Sequence, residues 1–263
     1  MQADHSNPSH SNQRAFTVTF VVCVVCSALV IAAAVLLRPV QQANRLLERQ
    51  TNVLAAAGLL EPGKSVEALS KQLDSRLVDL ASGEFVEVED PEHFDARKAA
   101  RDPTQSIALT PEQDIAQIKR RANYARVYLV WNKAGDLKTI ILPVYGYGLW
   151  SQLYGFLALE SDGNTVVGLS FYEHAETPGL GGKVDDPRWK RLWPGKRVYD
   201  EQWRPAIQLV KGAVNRQSPE ASHQVDALSG ATLTTRGVED LLRFWLGPDG
   251  FGKFLAKMRK GGN

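Results

Sequence analysis

The sequence predicts an α+β protein: a single N-terminal transmembrane helix, then a mixed domain with an antiparallel sheet and flanking helices. Three observations lead there. One long stretch near the N-terminus carries no charge, four strand-like runs follow one another in the middle of the chain, and helix-period apolar residues return at the end. The 263 residues suffice for one sizeable domain or two small ones, and 44% hydrophobic with 23% charged residues describes a globular chain.

The first element is AFTVTFVVCVVCSALVIAAAVLL, Ala15 to Leu37, bounded by Arg14 and Arg38. At ~1.5 Å per residue, an uncharged helix of that length crosses the hydrocarbon core. A cleaved signal peptide is the competing reading, with Ala32 to Ala34 as the small residues for a protease. The apolar run outlasts a usual signal core and continues past those alanines, which favours a retained membrane span in contact with lipid. Residues 1–14 form a short polar tail ahead of it. Cys23 and Cys26 spell a redox-like CVVC, but inside an apolar helix they read as small lipid-compatible residues, and no disulfide framework is available to the rest of the chain. Arg38, Arg45 and Arg49 after the span outnumber Arg14 before it, which alone would keep the large domain in the cytoplasm. That rule is weakest for long domains.

Residues 38–122 read as a helical entry region and linker. Gln41 to Leu60 and Ser65 to Leu80 carry apolar residues at helical spacing, including Leu69, Leu73, Leu77 and Leu80, and Pro62-Gly63 breaks the pattern. Asp90 to about Gln117 is polar and without a clear period, a loop with a short helix. Strand-like runs then cover Ala125–Trp131, Leu137–Gly146, Tyr154–Glu160 and Val166–His174, with Asp162-Gly163 as a hairpin turn. A short helix over Asp186–Leu192 and a strand over Ile207–Gly212 follow. Val238, Leu241, Leu242 and Trp245 then mark a helix that Gly247-Pro248 ends, and a terminal helix reaches about Lys260.

Composition excludes some functions. A net charge of +2 and the absence of a basic stripe with interleaved aromatics argue against nucleic acid as a partner. None of His5, His10, His93, His174 and His223 stands at zinc-site spacing from a second ligand, so no metal site is expected.

The richest chemistry lies in DALSGATLTTRGVEDLL, Asp226 to Leu242, where Ser229, Thr232, Thr234 and Thr235 surround Gly230 and Ala231 just before a helix. A helix start presents unbonded N–H groups and a positive dipole end, which suits a phosphate. Small residues at Gly230 and Ala231 let an anion approach the backbone, and Thr232 offers a hydroxyl for capping or attachment. Ordinary capping by Ser229 or Thr232 explains the same residues. Two further segments combine glycines with apolar and polar side chains at strand ends: GYGLWSQLYG, Gly146 to Gly155, and ETPGLGG, Glu176 to Gly182. Leu149, Trp150 and Leu180 suit the faces of a planar ligand. Tight turns are the alternative, since Pro178-Gly179 is a type II turn signal and Trp150 could be plain core.

Taken in order, GYGLWS, ETPGLGG and D-A-L-S-G-A-T resemble the periplasmic FMN-binding C subunit of the Na+-translocating NADH:quinone reductases, and the single span and the length fit over nearly the whole chain. The S-G-A-T element is shared with a wider group of covalent FMN proteins, including the G subunit of the related Rnf electron-transport complex. The resemblance implies an FMN-binding domain over 123–263 and a phosphoester between FMN and Thr232, made by a flavin transferase that uses FAD and a divalent cation. It implies an electron carrier within a multi-subunit NADH:quinone reductase, where the enzyme label belongs to the complex and no residue here is catalytic. It also implies a single-pass protein of the bacterial inner membrane with its large domain in the periplasm. Under that reading Asp226, Ser229, Gly230 and Ala231 shape the loop and present amides to the phosphate, with Leu233 beside them. Leu149, Trp150 and Ser151 line one side of the flavin, and Glu176, Thr177, Leu180 and Gly181 another. Lys211 and Arg236 either neutralise phosphate or are solvated. The alternatives are an Rnf-type protein with the same flavin chemistry, and a cofactor-free membrane-anchored binding or scaffold module in which S-G-A-T only caps a helix.

Overall fold

The computed structural model describes residues 8–60, 63–88, 91, 94–259 and 261. The expectations placed on residues 1–7, Pro62 and His93 lie outside them. The chain divides into two compact units, Met1–Leu47 and Glu48–Asn263. Helix α1 (Pro8–Ala56) runs through the division. Its segment Arg14–Gln41 is long and apolar enough to cross a membrane, and its large side chains, from Phe16 to Val40, are exposed. The helix expected from Gln41 is a continuation of this one rather than a separate element. It stops because Gly58 takes a left-handed φ of 64°. The Gly58 amide then donates to Ala55 O and the Leu59 amide to Leu54 O, a Schellman stop.

The second unit is built on an antiparallel sheet of six strands: β1 (Leu73–Asp79), β2 (Glu84–Val86), β5 (Tyr124–Trp131), β6 (Leu137–Tyr147), β7 (Gln152–Glu160) and β8 (Val166–Glu173). They lie in the order β2-β1-β5-β6-β7-β8. The four runs read as strands from the sequence are β5 to β8. The helical reading of Ser65–Leu80 is corrected: only α2 (Val66–Ser70) is helical there, and Leu73–Asp79 pairs with β5 along its whole length. The sheet therefore takes in residues from the stretch expected to be a helical entry region. The polar stretch after it holds helix α3 (Ala96–Arg101) and strand β3 (Ser106–Ala108), which pairs with β4 (Arg120–Ala122).

The hairpins follow local turn chemistry. Between β7 and β8, Asp162 Oδ1 accepts from the amides of Asn164 and Thr165, and Gly163 supplies a left-handed φ of 68°. Both faces of the sheet are covered, so β6 reads as a near-continuous apolar run rather than an alternation. Ile140, Leu142 and Val144 face the main core, whereas Ile141 faces a smaller cluster with Tyr128, Phe156, Val53 and Ala56. Strand β8 comes so close to the end of α1 that a Cβ on Gly168 would stand 2.5 Å from Ala56 O.

The chain then forms α4 (Pro187–Lys190), β9 (Gln208–Val210), β10 (Gln224–Asp226), α5 (Thr232–Leu246) and α6 (Gly252–Arg259). Strands β9 and β10 pair in parallel, an exception to the antiparallel expectation, and β10 has no counterpart among the strands expected from the sequence. Helix α5 packs on β6, burying Val238, Leu241, Leu242 and Trp245. Each such side chain stabilises by about 1.5–3 kcal/mol. The Trp245 indole N–H donates to Tyr145 O at 2.7 Å, which ties the helix to the strand that leads into the Gly148–Ser151 turn.

Candidate functional site

The three loops named from the sequence meet at one buried carboxylate. Between β6 and β7 the chain turns sharply, the Gly148 amide donating to Ser151 O at 2.8 Å. Three amides of this turn point at Glu176 Oε1: Leu149 and Trp150 at 3.0 Å and Ser151 at 3.4 Å. The other oxygen, Oε2, accepts the Thr234 hydroxyl proton at 2.6 Å. Ser151 Oγ accepts from the Ala175 amide at 2.7 Å, closing the loop from the far side. Burial pushes the Glu176 carboxyl up, but the bonds from Thr234 and from the Trp150, Leu149 and Ser151 amides outweigh it and hold the group below its ordinary value.

Glycines make the room. A Cβ on Gly148 would stand 2.6 Å from Glu176 Oε1, and one on Gly181 would stand 2.5 Å from Thr234 Oγ1 and 2.7 Å from Glu176 Oε2. A Cβ on Gly237, one turn along α5, would reach within 2.3 Å of Tyr147 O. His174 steadies the ETPGLGG loop: its Nδ1 accepts from the Glu176 amide at 3.2 Å, so Nε2 carries the proton toward Asp185 Oδ2 at 2.7 Å.

The loop before α5 is folded from within. The Leu228 amide donates to Thr235 Oγ1 at 3.1 Å, the Ala231 amide donates to Leu228 O, and Gly230 takes a φ of 81°. Ala231 is the N-cap residue and gives no side-chain bond. Capping by Ser229 or Thr232, the ordinary explanation of these hydroxyls, is therefore not what they do. The Thr235 amide is the first to bond back into the helix, to Ala231 O, so the amides of Thr232, Leu233 and Thr234 precede the helix's own ladder. Thr232 itself is exposed.

The sequence candidates separate by exposure. Trp150 is 65% exposed, Leu233 53% and Leu180 44%, an unusual amount of large apolar surface for the three loops to expose. Ser229, Gly230 and Thr177 are exposed with them, while Leu149 and Ser151 are half-buried. Glu176, Gly181 and Ala231 are buried. Leu180 leans over the loop: its Cδ2 would meet a Cβ on Gly230 at 3.1 Å. Asp226 holds the neighbouring chain, its Oδ1 accepting from the Val214 amide at 2.8 Å and its carbonyl from the Trp189 indole N–H at 2.9 Å. Lys211 stands exposed one residue past β9, where Val210 O accepts from the Ala227 amide, and it adds no bond to the Glu176 network. Arg236 is exposed on α5.

Sequence reasoning missed Lys183, whose Nζ donates to Ser229 O at 3.1 Å and so joins the ETPGLGG loop to the S-G-A-T loop. It also missed the inward hydroxyls of Thr234 and Thr235. The signal was available: both precede Val238, Leu241, Leu242 and Trp245 at helical spacing, which places them on the buried face.

The groups present fit a phosphate-linked planar ligand. Around Thr232 the chain combines amides ahead of the helix ladder, a lysine and an exposed apolar shelf.

Comparison with known proteins agrees with this geometry. A family model described as FMN-binding domain matches residues 148–247, a range that holds the ETPGLGG and S-G-A-T loops and all but the first two residues of Gly146–Gly155. The chain is 56% identical over 255 residues to the C subunit of the Na(+)-translocating NADH-quinone reductase of Pseudomonas aeruginosa, covering 95% of this chain and 97% of that protein. It is 48% identical over 265 residues to the C subunit of the Yersinia pestis reductase, covering 99% and 98%. Among solved structures, Shewanella oneidensis NqrC superposes with a TM-score of 0.74 at 41% identity, covering 81% of this chain and 97% of that one. The C subunit of the Na(+)-translocating NADH-quinone reductase from Parabacteroides distasonis gives 0.64 at 27% identity, covering 83% and 96%.

Proposed function

The chain belongs to the family of C subunits of the Na+-translocating NADH-quinone reductases, and from that premise we propose that Thr232 is the point where its flavin is covalently held. The protein is an FMN-carrying electron-transfer subunit of that oxidoreductase complex. Its identity to these relatives decides against the Rnf-type alternative, and the FMN-binding match decides against the cofactor-free module.

The observation that carries the proposal is the state of the Thr232 hydroxyl: exposed, at the first position of α5, and not spent on capping. A phosphoester formed there sits where the amides of Thr232, Leu233 and Thr234 and the dipole of a 15-residue helix favour an anion. Lys183, bonded to Ser229 O, adds a positive charge to the same loop. Trp150, Leu180 and Leu233 offer apolar faces to the ring, with Leu149, Ser151, Thr177 and Gly181 around them. Bound FMN supplies reversible uptake and release of electrons, while these side chains orient it and set its surroundings. A flavin transferase makes the bond, and α1 anchors the chain in the inner membrane with the second unit on the periplasmic side. Neighbouring members of the complex donate and accept the electrons.

Thr232→Ala tests the assignment. The variant, co-expressed with a flavin transferase, is expected to fold and to give no fluorescent band on a denaturing gel. A band that still glows refutes Thr232 as the attachment point.

A further inference from the structure

We propose that Glu176 is a positioning residue that fixes the Trp150 turn against the flavin-bearing helix and, through its uncancelled charge, keeps the flavin harder to reduce than a neutral side chain there would. This rests on the placement of the flavin at Thr232.

An ionised carboxylate has about four lone-pair sites for donors. Glu176 receives four protein donors, the amides of Leu149, Trp150 and Ser151 at Oε1 and the hydroxyl of Thr234 at Oε2. With 4% of its surface exposed, it presents almost no surface to a ligand. What it does reach is both flanks of the candidate surface. One oxygen holds the turn that carries exposed Trp150, and the other holds Thr234, two residues beyond Thr232. Gly148 and Gly181 leave no space for the carboxylate to move, since a Cβ on either would already overlap it. The Trp150 turn and the start of α5 are thereby locked at one separation.

The charge follows from the same contacts. All four partners are neutral donors, and the Lys183 ammonium is bonded to the Ser229 carbonyl rather than ion-paired with Glu176. The bonds from these donors favour the ionised form over the penalty of burial. A buried negative charge acts more strongly than one in water, because the surroundings screen it less. Reduction brings negative charge to the flavin, so a fixed anion beneath the Trp150 turn opposes it.

Glu176→Gln separates geometry from charge. The amide oxygen accepts from the Leu149, Trp150 and Ser151 amides, and the Nε2 group donates to a rotated Thr234 hydroxyl. The experiment is a spectroelectrochemical titration of the flavin-loaded full-length chain in detergent, preceded by intact mass. A loaded Glu176→Gln chain whose near-UV circular dichroism is unchanged and whose midpoint potential is more positive than wild type is the expected result. A loaded variant with an unshifted or more negative potential overturns the proposal and leaves Thr232 untouched. A wild-type chain of unmodified mass overturns the Thr232 reading, and this proposal with it. If Glu176→Gln does not fold, Thr234→Val keeps the charge and removes one of the four bonds. Its flavin emission is expected to rise as Trp150 loosens from the ring, and unchanged emission overturns the positioning role.

Discussion

Replacing Gly237 with alanine tests how tightly α5 is seated against the candidate site. The added Cβ would stand 2.3 Å from Tyr147 O, 2.9 Å from Gly148 Cα and 3.2 Å from Tyr147 C. All three are backbone atoms of the turn that Glu176 holds, so no side chain can rotate out of the way. Overpacking costs about 1–3 kcal/mol, and a clash with backbone belongs at the upper end, about 3. Alanine returns about 1 kcal/mol of helix propensity. The net loss is about 2 kcal/mol, which lowers Tm by about 4–8 °C in a unit of this size. Thermal unfolding of the full-length chain in detergent, followed by near-UV circular dichroism, measures it. Arg236→Ala, at the exposed neighbouring position, is the control and should stay within about 0.5 kcal/mol of wild type. A Gly237→Ala chain that melts at or above wild type would show that α5 and the Tyr147–Gly148 turn are not in contact as described.

Other perturbations probe the site from different sides. Trp150→Ala removes a side chain that is 65% exposed, so stability should change by no more than about 0.5 kcal/mol while the fluorescence of the attached flavin rises; a large fall in Tm with unaltered emission would make Trp150 core instead. Acid should act on Glu176 in a defined direction. Its folded value lies below the ordinary 4.5, so its contribution is complete above that pH and is lost as the pH falls through the folded value. The difference in Tm between wild type and Glu176→Gln should therefore shrink toward acid, and a difference that widens would contradict the sign.

Much of the fold was legible because its signals are local. An uncharged run bounded by arginines, a turn at Asp162-Gly163 and a stop at Gly247 each act within a few residues. The error at Leu73 and Leu77 has a definite cause. A separation of four residues suits a helix turn, but it is also an even number and returns to the same face of a strand. Pairing with β5 along seven residues decided between them, and that partner lies about fifty positions away in the chain. The site was legible in part. S-G-A-T, GLWS and ETPGLGG marked the loops because glycines and hydroxyls advertise unusual backbone. The contacts between them were hidden: nothing near Glu176 in the sequence announces its bonds to residues 25 to 58 positions away. Thr232 shows the converse, since its hydroxyl reads as a cap until the helix is seen to start at that residue with Ala231 in the cap position.

Covalent attachment at Thr232 is tested most directly by mass spectrometry of the tryptic peptide Gln217 to Arg236, from chain produced together with a flavin transferase. The predicted result is a peptide heavier by FMN less one water, with fragmentation placing the added mass on Thr232. An unmodified peptide, or an adduct on Ser229, Thr234 or Thr235, would contradict it.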